Sequence, residues 1–283
     1  MEYSSLVRLR CNKYFLNSRL YKMQCSKVKR TQLHWHEFYE IEYVVSGHAV
    51  QTLNGVSYSV GPGTLTFLSP VDFHAYHDVA TDKPLVVYKV IFQDVFLPKL
   101  IRDDIYAHKG HKVAKVTDPA FKVVFRRLYR EYSHEGYASD IFMMNGIINL
   151  CIMTMRALRD TCVLEVLERV EPSPIQDAII YVHTHFRENI SVEMVAQTVH
   201  LSPNYFSEYF KKQTGEKFSS YLLRLRLEYA ANLLRVSDLS VKEIAYESGF
   251  NSVSYFSNTF KGFYQTSPEH FRRDYRIDFK PIE

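Results

Sequence analysis

Three imidazoles and a carboxylate stand at spacings that could hold a cation or a polar ligand. His34-Trp35-His36, Glu40 and Gly47 fit the pattern HxHx3Ex6G, and after Gly63 the segment Ser69-Pro70-Val71 leads to His74 and Asp78. On a strand the even separations place His34, His36 and Glu40 on one face. With His74 they make three imidazoles and a carboxylate, a donor set suited to Fe, Mn, Ni or Zn as a divalent metal. The same four residues are candidate contacts for an organic effector. The plainest alternative is three histidines hydrogen-bonded within a core.

A second chemistry is repeated along the chain. ISVEMVAQTVHLSPNYFSEYFKK from Ile190 aligns with LSVKEIAYESGFNSVSYFSNTFKG from Leu239, at an offset of 49 residues that becomes 50 after one inserted residue. Ser191/Ser240, Val192/Val241, Ala196/Ala245, Phe206/Phe256, Ser207/Ser257, Phe210/Phe260 and Lys211/Lys261 are identical. Two units are too few for a solenoid, so duplication of a small module is the better account. Each unit reads as a helix capped by Ser191 or Ser240, a turn, and a second helix beginning near Ser202 or Ser252. Ala196 and Ala245 permit the close crossing of a helix-turn-helix. Gly249 can supply a left-handed turn residue, whereas His200 holds the matching place in the first unit on a less comfortable backbone.

At about 100° per residue, Phe206 and Phe210 point together into a core, as do Phe256 and Phe260. Opposite them lie Asn204, Ser207, Glu208, Lys211 and Lys212 in the first unit, and Ser254, Ser257, Asn258 and Lys261 in the second. Asn and Ser can meet base edges in a major groove and Lys can meet phosphate. One such helix would read as an ordinary solvated face. The same face twice, each behind the same turn, argues for DNA. The joining segment from Ser219 to Arg235 would span about 26 Å as a helix, against ~34 Å between successive major grooves on one face of DNA. Arg224 and Arg226 on it are candidate phosphate contacts.

These residues need elements to position them. From about Tyr39 to Phe92 the sequence alternates in period two, with corners at Asn54-Gly55, Gly61-Pro62-Gly63 and Ser69-Pro70. That predicts short antiparallel strands closing into a barrel or sandwich. After Asp118-Pro119 the period becomes helical, and about Ala138 to Leu158 is more apolar than a helix with one solvated face requires. That helix either packs between two layers of its own chain or pairs with another subunit, with a lean to a homodimer seam. RVEPSP, from Arg169 to Pro174, cannot continue a helix. The expected fold is α+β multidomain: an N-terminal all-β barrel (1–115) with a helical dimerisation segment (116–168), a linker (169–174), a C-terminal all-α domain with two helix-turn-helix motifs (175–276), and a tail (277–283).

LSPNYFSEYFKKQTGEKFSSYLLRLRLEYAANLL followed by LSVKEIAYESGFNSVSYFSNTFKGFYQTSPEHFRR resembles the paired helix-turn-helix domain of AraC/XylS-type regulators over roughly the last third of the chain. Gln265 departs from it, standing where that family often has Gly before the TSP turn. The resemblance implies sequence-specific binding to double-stranded promoter DNA and control of transcription initiation, often through RNA polymerase. The histidine segments resemble the two motifs of cupin barrels, whose enzyme members bind a divalent metal through three His and one Glu. Here Ser69 replaces the usual Pro and Val71 the usual Gly. In AraC-type regulators a cupin-like barrel usually binds a small-molecule effector, such as a sugar, without a catalytic role. The competing reading is a cupin metalloenzyme, an oxygenase or isomerase, with an accessory helical module. A DNA-repair protein would need a metal-activated cysteine cluster, and Cys11, Cys25, Cys151 and Cys162 are scattered.

Composition bounds these readings. The 283 residues suggest two domains, and 46% hydrophobic against 23% charged residues argues against disorder. The start lacks a secretory signal, and no run approaches the ~18–20 apolar residues of a membrane span, so a cytoplasmic, non-membrane protein is expected. A net charge of +4 decides nothing about DNA, because Pro174–Glu283 holds 13 basic and 13 acidic residues. The excess lies before Leu33, in an N-terminal arm with Arg8, Arg10, Lys13, Arg19, Lys22, Lys27, Lys29 and Arg30.

Overall fold

The computed structural model describes residues 7–9, 20–70, 72–80, 83–93, 97–98, 100–101, 104–105, 112–160, 164–169 and 173–276. The chain divides into two compact units, Met1–Pro172 and Ser173–Glu283. In the first, strands β1 (Val7–Leu9), β2 (Tyr21–Val28), β3 (His34–His36), β4 (Tyr39–Ser46), β5 (Ala49–Leu53), β6 (Val56–Val60), β7 (Thr64–Leu68), β8 (His74–His77), β9 (Leu85–Phe92) and β10 (Val113–Lys115) precede helices α1 (Pro119–His134) and α2 (Ser139–Asp160). Strand β11 (Val166–Arg169) follows them.

Two sheets result, ordered β1-β3-β8-β5-β6-β11 and β10-β7-β4-β9-β2. They share a core, with Ala49, Leu53, Val60 and Tyr76 from one packed with Val44, Leu68, Leu85 and Val87 from the other. Asn54 (φ 48°) and Gly55 (φ 80°) form the tight hairpin turn between β5 and β6.

Helix α1 begins as its sequence suggests, with Pro119 in the first turn and the Asp118 carboxylate accepting from the Ala120 N–H at 2.8 Å. Phe125 stacks on Tyr43 and Tyr88, so α1 covers β4 and β9 on the side away from the other sheet. Helix α2 packs on α1. Gly146 permits this, because a Cβ there would stand 2.4 Å from Leu128.

Three expectations change. Strands begin before Tyr39: β2 pairs with β9 from Tyr21↔Phe92 to Val28↔Leu85, so Lys22 and Lys27 sit on a sheet edge and not in a free arm. Its inward Tyr21 and Met23 alternate with charged and polar residues that hide the pattern. The segment 116–168 is not helical throughout, since β11 pairs antiparallel with β6 and extends its sheet. By length and composition α2 is apolar enough to cross a membrane, because Asn145, Asn149 and Thr154 interrupt the apolar run without adding charge. Met143, Ile147, Leu150, Cys151 and Met155 on it are nevertheless buried within the unit. The side chains of Arg8, Arg10, Lys13 and Arg19, and residues Cys11, Val71, Cys162 and 277–283, lie outside the described residues.

The second unit contains α3 (Pro174–His185), α4 (Val192–Thr198), α5 (Pro203–Thr214), α6 (Phe218–Val236), α7 (Val241–Glu247), α8 (Val253–Tyr264) and α9 (Pro268–Tyr275). The duplication is carried into the caps. Ser191, Ser202, Ser240 and Ser252 each accept a backbone N–H from the first turn of α4, α5, α7 and α8. His200 (φ 56°) and Gly249 (φ 82°) take the same left-handed place. Beyond them Leu201 N–H donates to Ala196 O at 2.9 Å and Phe250 N–H to Ala245 O at 3.0 Å. Gln265, the departure noted above, holds φ 59° at the end of α8. Gly215 holds φ 79° at the matching end of α5, so the left-handed cap survives without its glycine.

Candidate functional site

The two second helices of the repeat bury their Phe pairs and expose most of the polar residues opposite them. Phe206 and Phe210 are fully buried on α5, as are Phe256 and Phe260 on α8. Asn204, Glu208, Lys211 and Lys212 are exposed, and so are Ser254, Asn258 and Lys261. Ser207 and Ser257 are half-buried, and the Ser207 hydroxyl donates to Pro203 O at 2.9 Å, which ties it to its own helix. Tyr205 and Tyr255, at matched positions one residue before the buried Phe, are 59% and 57% exposed. Sequence reasoning passed over them, although an aromatic recurring at the repeat offset was a readable signal.

Arg224 and Arg226, the candidate phosphate contacts, are both engaged within their own unit. Arg224 is only 8% exposed and pairs with Glu216 at 3.1 Å and Glu228 at 3.0 Å. Arg226 donates to the carbonyls of Phe186 (2.7 Å) and Glu188 (2.6 Å). Both guanidinium groups are used within the unit.

In the first unit the four chemical residues converge, but by a different route from a single strand. Strand β3 ends at His36 and β4 starts at Tyr39 in the other sheet, so the chain crosses between sheets at Glu37-Phe38. His36 Nε2 consequently lies 3.3 Å from Glu40 Oε2. Single donor atoms of His36, Glu40 and His74 lie within 4.8 Å of one another, all three residues being buried. His34 stands beside them, its ring 4.1 Å from that of His74.

The tautomers follow from the acceptors. His36 Nδ1–H donates to Phe38 O at 2.8 Å and His74 Nδ1–H to Asp72 O at 3.3 Å, because a carbonyl can only accept. A neutral ring then turns a lone pair outward at Nε2. Among the described residues His74 Nε2 is buried without a hydrogen-bond partner, and His36 Nε2 faces a carboxylate oxygen, itself an acceptor.

A polar network continues inward from Glu40. Lys89 on β9 places its ammonium 2.9 Å from Glu40 Oε1 and also contacts Glu42. Tyr76 OH donates to Glu42 Oε2 at 2.6 Å, as does Gln51 Nε2 at 2.8 Å, and Thr66 Oγ1 donates to Gln51 Oε1 at 2.8 Å. Burial pushes the Glu40 carboxyl up, but the Lys89 ammonium outweighs it and holds this group well below the usual carboxylate range. Burial dominates at Glu42, which is raised despite Lys89. Burial and then the neighbouring imidazoles keep His74 well below an ordinary histidine; burial likewise lowers His34. Among the aromatic residues of this unit, Tyr39 stacks on Phe67 and Phe92, and Trp35 lies against Phe73. Tyr76, by contrast, enters the polar network through its hydroxyl.

Comparison with known proteins follows the same division. A model of an AraC-like ligand binding domain matches residues 21–150, and a model of a helix-turn-helix domain matches residues 195–274. The chain is 29% identical over 243 residues to the HTH-type transcriptional activator RhaS of Escherichia fergusonii, spanning 85% of this chain and 87% of that protein. The C-terminal domain of AraT, a response regulator from Geobacillus stearothermophilus, is 33% identical, covering 38% of this chain and 91% of that one, with TM-score 0.37. The DNA-binding domain of AdpA, solved with a target DNA, is 29% identical over 36% of this chain and 93% of its own, with TM-score 0.36.

Proposed function

Because this chain belongs to the AraC family of transcription regulators, we propose that α5 and α8 are its two DNA-reading helices and that the barrel interior is its effector site. It is a DNA-binding transcription regulator with a ligand-binding domain. The observation that carries the assignment of the reading helices is the duplicated helix-turn-helix, in which matched helices bury two Phe and expose short polar residues and Lys. Base edges fall to Asn204, Ser254 and Asn258, with phosphates to Lys211, Lys212 and Lys261.

Gel-shift titration over a randomised operator set tests this. Asn204→Ala or Asn258→Ala is expected to relax preference at the base contacted, by about 1–3 kcal/mol of discrimination, while Lys211→Ala weakens all sequences alike and lowers the salt slope by about 1. Unchanged base preference in both Asn variants would remove the assigned reading face.

The effector reading rests on the buried network of Glu40, Glu42, Gln51, Tyr76 and Lys89, which offers donors and acceptors to a small polar molecule such as a sugar. The effector shifts the population of a DNA-competent arrangement through different affinities for two states. The protein acts in the cytoplasm, contacts RNA polymerase and works without catalysis. The half-exposed Ile141 and Phe142 of α2 support a homodimer seam.

A divalent metal is a second reading of the same site, favoured by two imidazole lone pairs converging on a carboxylate. The residues fit: His36 Nε2, His74 Nε2 and Glu40 Oε2 would hold the ion, with Lys89 orienting the carboxylate through Oε1 and backbone carbonyls orienting both rings. Such an ion supplies a Lewis-acidic anchor for an oxygen-bearing effector. Equilibrium dialysis against zinc should give one ion per chain, lost in His74→Ala. No binding, or binding unchanged in His74→Ala, removes the metal and leaves the organic effector.

A further inference from the structure

The two helix-turn-helix repeats have separate aromatic cores. Phe206, Phe210, Phe218 and Tyr221 pack together in the first, and Phe256, Phe260 and Phe271 in the second, with α6 running between them. One connecting helix restrains distance more firmly than angle, because a helix end is free to swing unless something else holds it. Such a hold exists at the segment leading into the first repeat. Arg226 of α6 reaches across to it, with Nε–H on Phe186 O and an Nη2 hydrogen on Glu188 O, a forked pair that fixes the guanidinium plane. The turn of the second repeat is pressed against the same place. A Cβ at Gly249 would stand 2.9 Å from Arg187 Cα, Arg187 O and Arg226 Nε. Arg187 also pairs with Glu247 at the end of α7 (3.6 Å), and Phe186 lies edge-on to Tyr229 of α6 at 5.2 Å.

Segment 186–188, the joining helix and the second turn therefore meet at one junction. We propose that Arg226, seated against Gly249, is a positioning residue that locks the angle between the two reading helices, so that the operator must present its two half-sites at one spacing. This rests on the DNA-reading function assigned above. The physical basis is effective concentration: once the first helix is bound, a rigid link holds the second near its own groove at one separation, and a loose link spreads it over many. Gly249 contributes by its missing side chain and Arg226 by its two donors. Arg226 touches no DNA in this scheme.

The test uses the full chain and operators selected from random DNA by the unmodified protein, with the distance between half-sites then altered by one or two base pairs. The unmodified protein should lose about tenfold or more in affinity per step away from the selected spacing. In Arg226→Ala, affinity at the selected spacing should fall about tenfold and the dependence on spacing should flatten to within about threefold, as expected when the second site loses its effective concentration. The salt slope should stay unchanged, since no phosphate contact is removed. Arg226→Lys, which cannot span both carbonyls, should be intermediate, and Glu247→Gln, which loosens the junction from the other side without touching Arg226, should flatten the dependence in part. A parallel fall at every spacing, or a salt slope reduced by about 1, would overturn the lock in favour of a general structural role or a phosphate contact. Failure of the unmodified protein to select any sequence would instead refute the DNA-reading function, and the lock with it.

Discussion

Lys89→Met is expected to destabilise the N-terminal unit by about 3–5 kcal/mol, the cost of removing one partner from a buried ion pair and leaving the other charged. Lys89 stands between Glu40 and Glu42, and both carboxylates are buried. Without the ammonium, burial pushes both carboxyls above their unfolded values. A group raised in the folded state favours folding below its unfolded pKa and loses that contribution as pH rises through the folded one. The deficit should therefore be small in acid and grow toward neutral pH. Trp35, the only tryptophan in the chain, is buried in this unit and gives a fluorescence reading of its unfolding in urea. Adding Glu40→Gln and Glu42→Gln to Lys89→Met should recover most of the loss, because the stranded charges are gone. A shift below about 1 kcal/mol for Lys89→Met alone would show that water or a rearranged network already screens the pair.

Phe260→Ala should cost the C-terminal unit a similar amount, about 3–5 kcal/mol, by the lost transfer energy and the cavity left behind. Phe260 is fully buried and packs against Phe256, Tyr264 and Phe271. Since a whole domain is stable by only about 5–15 kcal/mol, the second helix-turn-helix is expected to open first. The consequence for DNA is a fall toward the affinity of the first reading helix alone. Phe210→Ala, its counterpart, should do the reverse and leave contacts in the second half-site. Footprints of the two variants on one operator separate these outcomes; equal protection of both half-sites by both variants would contradict two independent cores.

The second unit was legible because its signals are local. Serine caps, a left-handed turn position and a pair of Phe four residues apart are each set within a dozen residues, and duplication states them twice. The engagement of Arg224 and Arg226 was hidden for the opposite reason, since their partners Glu216, Phe186 and Glu188 are brought to them by packing around α6. The histidine cluster was found by spacing. Its network was not, because β4 is buried on both sides: Tyr43 lies under α1, which leaves Glu40 and Glu42 facing the other sheet. A period-two reading that sends apolar residues inward inverts this strand. Lys89, Gln51 and Thr66 become meaningful only once β9, β5 and β7 are placed around those carboxylates.

The turns of the two repeats are alike in backbone but not in what surrounds them. At His200 a side chain is already carried at φ 56°, so the first turn accepts glycine without loss of room. At Gly249 the Arg187 backbone closes the space at 2.9 Å, so the second turn refuses the first turn's histidine. The duplicated modules can therefore exchange parts in one direction only. A chimaera that installs the second turn in both places keeps its shape, and one that installs the first in both does not, so descent from a common unit has not left the two halves interchangeable.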